Sequence, residues 1–105
     1  MTEPTSFDAR MAALRAHFTT RARREGLELK QLAQQMGEDD SALIRIGTIA
    51  HSLAGAGAIF GLPQVSNSAA ALEDAIHAGA AKCAVASQSL ALASLLSGLG
   101  CQRSV

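Results

Sequence analysis

The chain has 105 residues, of which 49% are hydrophobic and 17% are charged. This length and apolar content fit one compact domain covering residues 1–105 and exclude a disordered chain. Nine Lys and Arg balance nine Asp and Glu, so the chain lacks the positive field of a protein whose main ligand is a nucleic-acid backbone. Three Phe and no Trp or Tyr exclude aromatic stacking platforms, and the core must be aliphatic.

The N-terminus and the cysteines indicate the compartment. In MTEPTSFDAR the acidic residues precede any basic one and there is no apolar run, which argues against a secretory signal. Cys83 and Cys101 belong to no CxxC or Cys/His cluster, so we expect free thiols and neither a zinc site nor a disulfide framework. The uncharged stretch from Cys83 to Gln102 is too rich in serine and glycine to cross a bilayer. We expect a cytoplasmic protein without a membrane partner.

A long first helix is predicted by apolar residues that recur three or four positions apart from Phe7 onward, which is the spacing of one helical face. These residues are Met11, Leu14, Phe18 and Ala22, followed by Leu29, Leu32 and Met36. Gly26 interrupts the pattern and costs about 1 kcal/mol relative to alanine. We therefore expect a kink or a break into two helices near Gly26, and an end at Gly37.

Three further helices follow. The acidic run 38–41 supplies N-cap candidates and negative charge for the start of the second helix. Gly61 is a natural left-handed cap, and Pro63 lies near the first position of the third helix, which ends at Gly79. The fourth helix runs from about Ala80 to Gly98. The predicted core positions are Leu43, Ile46, Ala50, Leu53, Gly57, Val65, Ala69, Leu72, Ile76, Val85, Leu92, Leu95, Leu96 and Leu99.

The fold class follows from this series of helices. The sequence has no strand-like alternation and no repeat of 20 to 50 residues, and the connections between helices are short. We therefore predict an all-α, antiparallel four-helix bundle.

One histidine of the second helix breaks the apolar pattern. At 100° per residue, His51 lies about 130° from the centre of the buried stripe and faces outward. Its face carries mostly small residues, which are Ile44, Gly47, Thr48, Gly55 and Ala58, with Ala54 at the edge. Each glycine costs about 1 kcal/mol of helix stability. Access for something bulky explains that cost, but the glycines could equally admit a neighbouring helix of the bundle and leave His51 an ordinary surface residue.

The stretch AHSLAGAGAIFGL at 50–62, followed by Ala-Leu-Glu at 71–73, resembles the motif of histidine phosphotransfer (HPt) domains. It is most similar to the phosphotransfer domain of chemotaxis histidine kinases. The family pattern is a histidine, a hydrophobic residue, Lys-Gly, a second glycine and a later Leu-Glu pair. The matching positions are His51, Leu53, Gly55, Gly61, Leu72 and Glu73, and the departure is Ala54 in place of the lysine.

The resemblance implies a phosphoryl carrier without kinase activity. His51 would be phosphorylated by an aspartyl phosphate on a response-regulator receiver domain or by a sensor histidine kinase, and would pass the group to another receiver. Imidazole suits this role because its unperturbed pKa of about 6.5 leaves much of it neutral and nucleophilic at pH 7. The chain shows no P-loop, kinase loop or magnesium-ligand set, so no cofactor or metal of its own is expected and Mg²⁺ would come from the receiver.

The resemblance also assigns roles around His51. Glu73 would orient the imidazole through its other ring nitrogen; the alternative is that Glu73 and Asp74 form a solvated pair. Ser52, Ala54 and Gly55 would lie near the phosphate. The predicted partner interface consists of Ile44, Gly47, Thr48, Ala58 and Ile59, an apolar surface around a reactive centre.

Ala54 cannot supply the cation that the family lysine places near the phosphoryl oxygens. Another cation could substitute, the receiver's charges could suffice, or transfer could be weakened. Arg45 points elsewhere on the helical wheel, so the sequence names no substitute. The basic cluster Arg21, Arg23 and Arg24 is typical of a solvated face, although it could contact an acidic receiver. His17 and His77 have no metal-spaced partner.

Alternative readings remain at the level of the sequence. The chain could be an adaptor that binds a receiver without phosphate turnover, as Ala54 makes conceivable. It could also be a fragment of a larger kinase, although Met1 and the lack of a linker-like tail favour a complete small protein. We expect a monomer, because no second long apolar stripe is evident. The sequence does not identify the kinase, the receivers or the direction of phosphate flow.

Overall fold

The structure, a computed structural model, describes residues 6–37 and 40–99. It contains four helices, α1 (Ser6–Gln34), α2 (Ser41–Ile59), α3 (Pro63–His77) and α4 (Lys82–Ser97), and no strand within the described residues. Each helix packs on the next along the chain, and α4 closes the bundle against α1. The predicted all-α four-helix bundle is confirmed.

The core is aliphatic and draws on all four helices. Its fully buried side chains include Leu29, Ile46, Leu53, Leu72 and Leu96. Four predicted core positions are only partly buried and pack against its edge, namely Leu43, Ile76, Leu95 and Leu99. One aromatic pair joins the aliphatic residues, because the rings of Phe18 and Phe60 stack with centroids 5.1 Å apart.

Local sequence sets the helix ends around α3. Gly61 and Gly79 have φ values of 71° and 76°, the left-handed region that favours glycine because it has no Cβ. Pro63 occupies the first turn of α3, where its missing N–H is harmless. These predictions are confirmed.

The start of α2 differs from its prediction. Of the acidic run, Glu38 and Asp39 lie outside the described residues, as do Cys101 and Gln102. Asp40 occupies the N-cap position, but its side chain makes no capping hydrogen bond. Its carboxylate instead lies 3.3 Å from Nζ of Lys82, at the start of α4. Asp40 therefore links two helix ends across the bundle.

Gly26 does not break α1, which runs continuously through it. Of the predicted kink or break, the break into two helices is wrong, because the glycine packs closely against α4. A Cβ at position 26 would lie 3.1 Å from the Leu96 Cβ and 3.4 Å from the Ala93 carbonyl oxygen. Packing against α4 therefore offsets the poor helix propensity of glycine, and a side chain there would push the two helices apart.

The first turns of α1 are not covered by the bundle. α1 has 29 residues, whereas the other helices have 15 to 19. Its apolar stripe is buried only from Phe18 onward, since Phe7 and Leu14 are 70% and 51% exposed. The periodic pattern therefore predicts the helix correctly but overstates how much of it contributes to the core.

Among the described residues, α2 is the one helix long and apolar enough to span a bilayer by length and composition. Core helices of soluble proteins pass the same test, and six residues of α2 are buried in this core. The stretch from Cys83 forms most of α4, where Cys83 is exposed and its thiol is free. The buried face of α2 therefore belongs to the core of the bundle.

Candidate functional site

α2 presents His51 on its outward face. The inward side of the same helix is fixed in the core by Ile46, Leu53 and Gly57, all of which are buried. The His51 side chain is 78% exposed, as its position on the helical wheel predicts. Packing of the opposite face therefore fixes the direction in which the imidazole leaves the bundle.

Glu73 of α3 holds the imidazole of His51 from one side. Its Oε2 lies 2.8 Å from Nδ1 of His51, and its side chain is only 23% exposed. An ionised carboxylate only accepts hydrogen bonds, so Nδ1 carries the proton and donates it. In the neutral imidazole, the other ring nitrogen, Nε2, then has a free lone pair. The contact with Glu73 therefore fixes one ring nitrogen of an otherwise exposed imidazole.

A groove of about 530 Å³ runs along α2 and α3 beside this pair. Three of the predicted interface residues, Ile44, Gly47 and Thr48, line it together with His51 and Glu73. The remaining lining residues were not predicted at the site from the sequence, and they are Asp40, Leu43, Ile76 and His77. Ala58 and Ile59 are exposed on α2 but do not line the groove. The structure thus brings part of the predicted interface together.

The small residues of α2 fall into two groups. A Cβ at Gly55 would meet nothing within 4 Å, whereas one at Gly57 would lie 2.9 Å from the backbone nitrogen of Ser66. Ser66 also donates its hydroxyl to the carbonyl oxygen of the half-buried Ala54, at 2.8 Å. Close approach of α3 therefore explains Gly57, whereas Gly55 leaves open space beside His51.

Arg45 is not a cation of this site. It pairs with Glu28 of α1, with 2.7 Å between Nε and Oε2. The hydrogen bond from Arg45 holds the pKa of Glu28 below its usual value, and the same contact raises the pKa of Arg45. Its charge is therefore used at the α1–α2 contact, and the prediction that Arg45 points away from His51 is confirmed.

Arg21 of α1 reaches the site, which the sequence analysis did not predict. Its Nη2 donates a hydrogen bond to Oγ of Ser52, the residue after His51, at 2.5 Å. Its Nε lies 3.1 Å from Oε2 of Glu25. The contact depends on how α1 and α2 are aligned, and no spacing within either helix carries that information. Within residues 6–37 and 40–99, no three His, Cys, Asp or Glu side chains come together as metal ligands.

The fold and the site together define a four-helix bundle that presents one oriented imidazole on the face of its second helix. The chain belongs to the Hpt domain family, whose family model matches residues 10–100. Hpt domains serve phosphotransfer in two-component signalling and interact with its kinase and receiver domains; in general they are phosphocarriers without kinase activity. Neither the curated proteins nor the solved structures include a match to this chain. That the chain is most similar to the phosphotransfer domain of chemotaxis histidine kinases stays a prediction.

Proposed function

We propose that this Hpt domain carries a phosphoryl group on Nε2 of His51. The group comes from the aspartyl phosphate of a receiver domain or from a sensor histidine kinase, and a second receiver accepts it. The observation that supports this most directly is the 2.8 Å contact between Nδ1 of His51 and Glu73. This contact favours the neutral tautomer with its proton on Nδ1, which leaves Nε2 as the nucleophile. The imidazole lies on an exposed face that a partner can approach.

The transfer step needs no proton movement in the bundle. The Nε2 lone pair attacks phosphorus and forms a P–N bond, while the P–O bond of the aspartyl phosphate breaks and its electron pair stays on the carboxylate. The imidazole gains one positive charge and keeps its proton on Nδ1. Glu73 stabilises that charge through a hydrogen bond to the charged ring. The receiver supplies the Mg²⁺ that balances charge on the phosphoryl oxygens.

The surface around His51 suits docking of a receiver. Ile44 and Ile59 are 67% and 71% exposed, and they lie on either side of His51 along α2. Gly55 leaves the space beside the imidazole open. An apolar surface with a reactive group between its exposed side chains can exclude water when the partner binds. We assign this face of α2, with the groove against α3, to the receiver.

Transfer of labelled phosphate tests the proposal. Phosphorylated receiver domains of the same organism are mixed with the protein, and the product is treated with acid and with base. Label that is lost in acid, kept in base and mapped to His51 supports the relay. If a receiver binds the folded protein but transfers no label, the adaptor function replaces the carrier function.

Glu73→Gln should slow phosphorylation of His51 by roughly 10-fold to 100-fold, the order of magnitude of one charge-assisted hydrogen bond. Glutamine can still accept from Nδ1, but it lacks the negative charge that stabilises the ring during transfer. The rate is measured with a phosphorylated receiver in excess. Asp74→Asn is the matched control, because Asp74 is an exposed neighbouring carboxylate and the charge change is identical. Wild-type rate and extent in Glu73→Gln would remove the orienting role.

Ala54→Lys should lengthen the lifetime of the phosphohistidine or raise the transfer rate, because it restores a cation next to the phosphoryl oxygens. Ala54 is half-buried and uses only its carbonyl oxygen for a hydrogen bond, so a long side chain can extend from its edge of the face to solvent. Decay of the label and its transfer to a receiver are both followed over time. No change in either would mean that the missing lysine has no kinetic consequence in this protein.

A further inference from the structure

The site contains a cation on the side of α2 opposite Glu73. α2 lies between α1 and α3, since it packs on both of them. Glu73 approaches His51 from α3, and Arg21 approaches the neighbouring Ser52 from α1. Glu73 therefore holds Nδ1 of His51 from the α3 side, and the contact with Ser52 places the guanidinium on the α1 side of α2.

The guanidinium of Arg21 is held by two hydrogen bonds and still has N–H donors for another acceptor. Its Nε is bound by Glu25 at 3.1 Å, and its Nη2 by Ser52. A guanidinium has five N–H donors, so at least two donors on the terminal nitrogens remain for another acceptor. The side chain is 40% exposed, which allows its end to move. Ser52 directly follows His51 in α2, and successive side chains of a helix leave it about 100° apart. The end of the Arg21 side chain therefore has to swing from Ser52 across the surface of α2 to reach a group on His51.

Glu25 helps to fix the position of the Arg21 side chain. The Glu25 side chain is 19% exposed, and its Oε1 is buried without a hydrogen-bond partner within the described residues. Its other oxygen, Oε2, accepts the hydrogen bond from Nε of Arg21. The carboxylate therefore fixes Nε and directs the terminal nitrogens toward α2.

We infer that Arg21 is the phosphoryl-binding cation of this domain and replaces, from α1, the charge that Ala54 lacks. When the phosphoryl group forms on Nε2, Nη2 leaves Ser52 and the terminal N–H groups donate to the phosphoryl oxygens, while Nε stays on Glu25. Arginine suits this task because its planar donors match a phosphate. The inference rests on the proposed function, because it requires a phosphoryl group on His51.

The experiment uses phosphoramidate, a small donor with a P–N bond, so that no receiver contributes charge. Wild type, Arg21→Gln and Arg23→Gln are compared by phosphorus NMR. Glutamine keeps a donor for Glu25 but removes the charge, and Arg23 is an exposed arginine of the same helix. We expect Arg21→Gln to phosphorylate roughly tenfold more slowly, as expected for one charge-assisted hydrogen bond. The phosphoryl group on His51 should also take up its proton at a higher pH in Arg21→Gln than in wild type. Arg23→Gln should match wild type in both the rate and this pH midpoint.

A rescue variant separates charge from structure. Ala54→Lys in the Arg21→Gln background places a cation on the other edge of the same face, and it should restore most of the rate and the lower titration midpoint. A protein that was merely misfolded would not recover. Equal rates and midpoints in Arg21→Gln and Arg23→Gln would overturn the inference while leaving the proposed function intact. Failure of wild type to form phosphohistidine at position 51 with both phosphoramidate and receivers would overturn both.

Discussion

His51→Gln is expected to abolish acid-labile phosphorylation completely while leaving the bundle folded. Glutamine has no nitrogen lone pair that can attack phosphorus, so no slower route through the same side chain remains. The imidazole is 78% exposed and is hydrogen-bonded to Glu73 at the surface, so its loss removes almost no packing. Loss of label should therefore accompany an unchanged circular dichroism spectrum and unchanged thermal unfolding.

His77→Gln is the matched control for that experiment. His77 is also exposed, lies at the end of α3 and lines the same groove as His51. Among the described residues, no carboxylate pairs with His77, whereas Glu73 pairs with His51. It should therefore keep wild-type labelling. Label that persists in His51→Gln and disappears in His77→Gln would move the phosphorylation site to α3 and contradict the assignment.

Features that depend on one helix alone could be predicted from the sequence. The helices before Gly61 and Gly79 end because each glycine adopts a left-handed backbone conformation. This requirement concerns only the residue itself and its neighbours in the chain. The outward direction of His51 follows from the spacing of Ile46, Leu53 and Gly57 on one helical face. In each case the information lies within a few residues of the feature, so no knowledge of the neighbouring helices is needed.

Features that depend on the alignment of two helices could not be predicted. Gly26 looks like a break in isolation, but the nearness of Leu96 makes it a packing residue. Arg21 looks like part of a solvated cluster, but the alignment of α1 with α2 brings it to Ser52. Asp40 looks like a cap, but Lys82 of α4 takes its carboxylate. Arg21 and Ser52 are 31 positions apart in the sequence, and His51 and Glu73 are 22 positions apart. The family motif suggested only the contact between His51 and Glu73.

Two glycines of α2 have different roles in one helix. Gly55 and Gly57 belong to the same AGAGA run, but the helical wheel predicts Gly57 in the buried stripe and Gly55 on the outward face of His51. The structure agrees, because Gly57 is buried against α3 and Gly55 is exposed. Gly57 therefore sets the distance between the helices that carry His51 and Glu73, whereas Gly55 leaves room for a partner. The same substitution at the two positions should have opposite effects on stability.

Gly57→Ala should destabilise the protein by about 1–3 kcal/mol, the usual cost of overpacking. A Cβ there would lie 2.9 Å from the nitrogen and 3.1 Å from the Cα of Ser66, and backbone atoms cannot move aside without displacing α3. Gly55→Ala should instead stabilise α2 by about 0.5–1 kcal/mol, because alanine has the better helix propensity and the site is open. Thermal unfolding followed by circular dichroism measures both, with about 4–8 °C expected per kcal/mol in a domain of this size. Equal shifts of the same sign would mean that α2 and α3 do not meet at Gly57 as the structure shows.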